Sequence, residues 1–243
     1  MDVLLEGVWE ALRLLVAGDE DTWAITGLTV RVSATATVLA LLVGVPVGIA
    51  VALGRFPGRR IALAAAHTGL GLPPVVVGLL VTVLLWRSGP LGGLGLLYTP
   101  TAMVLAQALI ATPVVVALSA AAVAQVDPEF LVQMRGVGAG PVRAVALLLN
   151  EVRTPLLAAA AAAFGAVVSE VGAAQMVGGN LVGETRVLTT AAVLATSRGE
   201  FALAIAFGLV LLLVSFAVNL ALVLGSVEGP TPSRTAPTRT ASR

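Results

Sequence analysis

The sequence predicts an all-α transmembrane protein with about five membrane-spanning helices, and three observations carry the prediction. Of its 243 residues 58 % are apolar and only 11 % are charged, whereas a soluble domain averages about 45–50 % apolar and roughly a quarter charged. A chain so poor in polar groups cannot cover itself in water. Its apolar residues also run in long blocks rather than alternating, which selects helices, because a helix satisfies its backbone hydrogen bonds within one segment in hydrocarbon. Finally, the blocks reach the roughly 20 residues needed to cross a core about 30 Å thick.

In order, the candidate spans are Leu28–Leu53, Ile61–Trp86, Thr101–Val126, Pro155–Val177 and Phe201–Leu224. Ahead of them, Val3–Ala17 places Leu4, Leu5, Val8, Leu12, Leu15 and Val16 at helical spacing, with Glu6, Glu10 and Arg13 between them. That pattern is an amphipathic helix too short and too charged to span, suited to the membrane surface. The acidic start lacks the basic n-region of a cleaved signal peptide, so the mature chain is expected to keep it. From about Gly229 the chain is Pro, Thr, Ser and Arg with almost nothing to bury, and reads as disordered. The expected division is residues 1–22 as an extracytoplasmic amphipathic segment, 23–226 as the transmembrane domain and 227–243 as a cytoplasmic tail.

Arginine placement sets the orientation. With five spans, one side receives Arg55, Arg59, Arg60, Arg135, Arg143, Arg153, Arg234, Arg239 and Arg243. The other receives Arg13, Arg87, Arg186 and Arg198, with Arg31 near its boundary. The richer side is expected to be cytoplasmic, leaving the N-terminus and Asp19-Glu20-Asp21 outside and the C-terminus inside.

Composition also excludes chemistry. There is no cysteine and a single histidine, His67, so disulfides, thiolate chemistry and histidine-rich metal sites are ruled out, and no metal or cofactor is expected. Every basic residue is arginine. Without lysine the GxxxxGK[ST] phosphate-binding loop cannot exist, so any ATP hydrolysis that drives this chain belongs to another one. A net charge of +1 names no partner, and no nucleic acid is expected among them.

Four stretches stand out as candidate sites. Asp127–Thr154, the longest cytoplasmic connection, opens with the helix-start signal Asp127-Pro128-Glu129. Gly136, Gly138, Gly140 and Pro141 then interrupt it, and Val142–Leu149 resumes as a helix carrying Arg143. Pro73-Pro74, flanked by Gly71 and Gly78 and followed by Val75-Val76-Val77, breaks the second span near its middle, either as a gate or as a simple kink. Glu170 is the sole carboxylate well inside a span, roughly 22 Å from Pro155 at 1.5 Å per residue. Its expected role is structural, pairing with an arginine or capping backbone amides, either of which would keep it ionised. Gly178-Gly179-Asn180 and Arg186 lie outside the fourth span, as a contact surface or as a plain turn. His67 reads as a packing residue. Ala158–Ala163 with Gly165 suits close helix approach, within the chain or to another copy.

The chain resembles ABC-importer permeases. Arg31-Val32-Ser33-Ala34-Thr35-Ala36-Thr37 running into Gly44-Val45-Pro46-Val47-Gly48 is similar to the opening span of that domain. Gly71-Leu72-Pro73-Pro74-Val75-Val76-Val77-Gly78 resembles the Leu-Pro-Pro signature of molybdate and tungstate permeases. Ser88-Gly89-Pro90-Leu91-Gly92, Tyr98-Thr99-Pro100-Thr101-Ala102-Met103 and Gln107 continue it. Ser169-Glu170-Val171-Gly172-Ala173, Val177-Gly178-Gly179-Asn180 and Thr185-Arg186-Val187-Leu188-Thr189-Thr190 complete it. The segment Asp127–Asn150 is similar to the family's cytoplasmic loop, with Gly138 in the place of its glycine and Val132-Gln133-Met134 where it has an acid and two alanines.

The resemblance covers about residues 28–224 and lies nearest the tungstate branch. It implies a permease subunit in the inner or cell membrane of a bacterium or archaeon, importing a tetrahedral oxyanion by alternating access. Implied partners are two ATP-binding subunits, an extracytoplasmic substrate-binding protein, membrane lipid and a second copy of the chain. The loop would couple to the ATPase through Asp127, Glu129, Gln133, Arg135, Gly138, Gly140 and Arg143. Pro73, Pro74, Val75, Ser169, Glu170, Val171 and Gly172 would form the pore or gate, and Gly178, Gly179, Asn180 and Arg186 would meet the binding protein or the anion. The alternatives are a molybdate or sulfate importer and a secondary transporter. The last would need internal repeats and buried charge relays, neither of which the sequence offers. A membrane enzyme would need a nucleophile–base pair, and Ser169-Glu170 has no histidine nearby.

Overall fold

The computed structural model describes residues 2–136 and 140–227, and every regular element among them is helical. Helices α1 (Asp2–Val16), α2 (Glu20–Leu53), α3 (Arg59–Gly69) and α4 (Pro74–Leu85) come first. They are followed by α5 (Pro100–Ala124), α6 (Pro128–Gly136), α7 (Pro141–Glu151) and α8 (Arg153–Val168). The chain finishes with α9 (Gly172–Gly178), α10 (Leu188–Ser197) and α11 (Phe201–Val227). Three helices, α2, α5 and α11, are long and apolar enough to span alone, and the count reaches five when two bent pairs are each taken as one span.

The longest helix, α2, begins at Glu20, well before the apolar run that defines its span in the sequence. Asp19 starts it: its carboxylate accepts hydrogen bonds from the Thr22 hydroxyl at 2.6 Å and the Thr22 amide at 2.8 Å. These bonds, the hydroxyl's first, hold the Asp19 carboxyl below its ordinary value of 3.8. A lowered folded-state value adds stability above the unfolded value, and that stability is lost as pH falls from about 3.8 through the folded value. Thermal unfolding of the detergent-solubilised chain is therefore expected to lose part of its acid sensitivity in Asp19→Asn, which still caps the helix. An unchanged pH profile in that variant would contradict the assignment.

The core is a seam between α2 and α5. A Cβ on Gly44 would lie 2.7 Å from Val115 Cβ, and one on Gly48 would lie 2.7 Å from Ser119 Cβ and 2.9 Å from the Val116 carbonyl. The two helices therefore run in the same direction with their backbones close, as small residues permit where lipid supplies no hydrophobic drive. Two polar atoms on α5, Gln107 Oε1 and Ser119 Oγ, have no partner among the described residues. Because the backbone of α5 itself blocks the space at Gly48, Gly48→Leu is expected to cost at least about 1–3 kcal/mol. A melting temperature in detergent equal to that of the wild type would refute the close seam.

Around the seam, α8 packs on α5, α2 and α11, while α4 and α9 pack on each other and on α5. The amphipathic helix α1 forms as expected and lies against α11, where a Cβ on Gly7 would strike Ile205. Its residues Leu4, Leu5, Trp9 and Val16 stay exposed, which suits contact with lipid.

Two expected spans prove to be broken. The second bends by 101° between α3 and α4, with Pro73 and Pro74 at the new helix start, where missing donors cost nothing. The fourth, expected as one helix over Pro155–Val177, stops at Val168 and resumes at Gly172. Glu170 thus lies in a break rather than inside a helix. The connection between α5 and α8 forms two short helices, α6 and α7, with Gly138 and the tail from residue 228 outside the described residues.

Candidate functional site

The two breaks meet. A Cβ on Gly172 would lie 2.7 Å from Val75 Cγ2, and one on Gly78 would lie 2.7 Å from Ala173 Cα. α4 is therefore pressed against the start of α9, backbone to backbone at Gly78 and through the Val75 side chain at Gly172. This brings together Val75, Glu170 and Gly172, with Pro73 and Pro74 opening α4 beside them.

Glu170 ties the junction. Its Oε1 accepts the Ala173 amide at 3.0 Å, in the first turn of α9, where a negative charge is favoured by the helix dipole. The Glu170 amide donates to the Val167 carbonyl at 3.2 Å, holding the end of α8. Its own carbonyl accepts the Thr189 hydroxyl of α10 at 3.2 Å. Of the two roles expected for it, amide capping is the one its geometry displays; no carboxylate–arginine pair involving it occurs among the described residues. Ser169 is exposed and its hydroxyl bonds back to the Gly165 carbonyl at 2.8 Å, while Val171 is half-buried just before α9.

Beyond α9 the chain makes a braced turn. Gly179 takes a left-handed φ of 73° with its α-carbon against the Tyr98 ring, a position where any side chain would collide. The fully buried Thr185 accepts the Leu181 amide at 3.0 Å and donates to the Gly178 carbonyl. Arg186 donates through Nε to Asn180 Oδ1 at 3.1 Å, so Asn180 and Arg186 hold each other. The Tyr98 amide donates to the Val177 carbonyl at 2.8 Å, which joins the loop between α4 and α5 to the same turn. Beside it opens a cavity of about 290 Å³ lined by Asp19, Asp21, Arg186, Arg198 and Glu200 along with apolar groups of α10 and α11.

Sequence reasoning missed α10 and the threonines that seat it. The Leu188 amide donates to Thr29 Oγ1 of α2 at 2.9 Å, and Thr190 Oγ1 accepts the Val187 amide at 3.1 Å. The available signal was Thr22, Thr26 and Thr29 at helical spacing, all buried on one face of α2.

At the opposite end, the connection between α5 and α8 packs under α2 and α5 through Leu148 and Val152, against Val123, Ile49 and Ala52. Asp127 Oδ1 accepts the Glu129 amide at 2.8 Å and so begins α6. Arg135 belongs to α6, and Gly140 precedes α7. Glu129, Gln133, Gly140 and Arg143 are exposed.

Residues 44–224 match the model of the binding-protein-dependent transport system inner membrane component. The chain belongs to that family. Permeases of this family are transport subunits and not enzymes, so the fold described above is that of the membrane component of an ABC importer. The tungstate uptake system permease protein TupB of Peptoclostridium acidaminophilum is 39 % identical over 90 % of this chain and 96 % of its own length. TupB of Campylobacter jejuni is 36 % identical over 90 % and 92 %. The molybdenum transport system permease protein ModB of Escherichia coli K12 is 29 % identical over 70 % and 77 %. Among solved structures, a chain of the inward-facing MetNI methionine ABC transporter superposes with a TM-score of 0.65 at 19 % identity, covering 86 % of this chain and 93 % of that one. That likeness shows the permease fold with about five spans.

Proposed function

We propose that this permease imports tungstate. The observation that carries the reading is the pair of tungstate uptake permeases at 39 % and 36 % identity across nine-tenths of the chain, against 29 % over a shorter stretch for the molybdenum permease. A dianion is too costly to place in hydrocarbon. A single chain with about five spans is thin for enclosing a path, so two copies pair around one. Two ATP-binding subunits dock on the Asp127–Asn150 segments, and an extracytoplasmic binding protein delivers the anion. The N-terminus lies outside and the C-terminus inside, in keeping with the arginine-rich end formed by Arg55, Arg59, Arg60, Arg143 and Arg153. Residues 23–226 act as the transporting unit.

Within it, the Val75–Gly172 junction serves as the gate. The braced turn at Gly178, Gly179, Asn180 and Arg186, with its charged cavity, receives the loaded binding protein. ATP-driven closure of the ATPase pair pushes through α6 and α7, and the gate rocks between outward- and inward-open states. Selectivity rests mainly with the binding protein.

The test is ATP hydrolysis by the chain reconstituted in liposomes with its candidate ATPase and binding protein loaded with tungstate, molybdate or sulfate. Stimulation by the tungstate form alone is expected. Equal stimulation by all three would reduce the substrate to an oxyanion, and no assembly with the ATPase would defeat the docking reading. In the same system Gly138→Trp is expected to leave hydrolysis running while uptake drops to background. Normal uptake in that variant would remove Gly138 from the coupling surface.

A further inference from the structure

We propose that the corner between α2 and α3 binds the phosphate headgroup of an anionic phospholipid. After α2 ends at Leu53, the chain turns through Arg55-Phe56-Pro57-Gly58 and re-enters as α3 with Arg59-Arg60. Gly58 makes the turn with a left-handed φ of 90°. Arg59 is spoken for in part: its Nε donates to the Val51 carbonyl at 2.8 Å and its Nη2 to the Ala52 carbonyl at 3.1 Å. A cation at the carbonyl end of a helix is favoured by the dipole, and these two bonds fix the guanidinium plane at the membrane end of α2.

Arg55 and Arg60 are different. Both are exposed, and among the described residues no carboxylate lies within 4.0 Å of any of the three arginines. Arg55 and Arg59 border an open cavity of about 440 Å³, lined also by Ala52, Leu53, Gly54 and Phe56, and Arg60 is the next residue in the chain. Two guanidinium forks on this cavity with a third on the adjoining residue, and no internal counter-charge among the described residues, supply the donors that suit phosphate oxygens.

The flank selects the source of that phosphate. Leu53, Phe56 and Ile61 are 44 %, 43 % and 75 % exposed around the same corner, and they continue the apolar surface of α2. A free phosphate would leave them bare, whereas a phospholipid covers them with its acyl chains while its headgroup meets the arginines. Basic clusters at the end of a spanning helix attract anionic lipid in this way. The inference rests on the chain spanning a membrane and not on which anion it carries.

The full-length chain in detergent would be offered equal amounts of phosphatidylglycerol and phosphatidylcholine, and retained lipid read by native mass spectrometry. The wild type is expected to keep phosphatidylglycerol preferentially, and Arg55→Gln with Arg60→Gln to weaken it by about fivefold per arginine removed. Arg55→Lys with Arg60→Lys should retain most of the preference. Removing two charges elsewhere, by Arg13→Gln with Arg87→Gln, should not change it. Equal retention of both lipids by the wild type overturns the proposal even if the glutamine variant fails to fold. So does undiminished phosphatidylglycerol in a folded glutamine variant. Displacement by glycerol phosphate as readily as by the lipid would assign the corner to soluble phosphate. Unchanged lipid with lost ATPase binding would assign it to the partner protein.

Discussion

Glu170→Ala is expected to lower uptake by about tenfold or more while the chain still folds and assembles. The bond at stake is the carboxylate's acceptance of the Ala173 amide at 3.0 Å. A hydrogen bond to a charged group contributes about 1.5–3 kcal/mol, which is at least a tenfold change in the ratio of ordered to frayed junctions. The fold itself depends little on it, because the α2–α5 seam is built elsewhere. The loss should therefore appear in transport rather than in the melting temperature. Glu170→Gln separates the bond from the charge: the amide oxygen still accepts, so uptake within about threefold of the wild type is expected. If glutamine fails as badly as alanine, the negative charge itself carries the function and the capping account is wrong. If alanine transports normally, the junction needs no cap.

Much of this architecture was legible because its signals are local. Pro73-Pro74 breaks a helix wherever it stands, and the expected interruption of the second span is a 101° bend. Asp127-Pro128-Glu129 and the glycines after it likewise announce the ends of α6 and the start of α7. The break between α8 and α9 was hidden for the opposite reason. Ala158–Val168 and Ala173–Val177 are both good helix sequence, and the residue at which the helix resumes, Gly172, packs directly under Val75 of a different element. No reading of one segment contains that contact. The same holds for α10, whose start is fixed by Thr29, 159 residues away from the Leu188 amide it accepts.

The candidate residues divide in the same way. Glu170 attracted notice because a carboxylate in an apolar run is conspicuous, and its capping role follows from what surrounds it. Arg186 was conspicuous too, but its partner Asn180 became readable only once Gly179 turned the chain back. Thr185 and Tyr98 gave no signal as partners, since each works by reaching a backbone carbonyl on α9.

The second large effect is expected at Gly78. A Cβ there would lie 2.7 Å from Ala173 Cα and 3.2 Å from Ala173 Cβ. The nearest obstacle is backbone, so no rotamer change relieves it and α4 must move away from α9. At Gly172 the corresponding obstacle is Val75 Cγ2, a side-chain atom that can turn aside. Alanine at either site gains about 1 kcal/mol of helix propensity over glycine, set against an overpacking cost of about 1–3 kcal/mol. The balance therefore falls differently at the two glycines. Gly172→Ala is expected to keep most of its uptake, while Gly78→Ala loses a large part of it and Gly78→Val nearly all. Uptake in liposomes, read beside the melting temperature in detergent, checks the contrast. Equal tolerance at both positions would mean that α4 and α9 separate freely, and the junction between the two broken helices could not then be the element that closes the path.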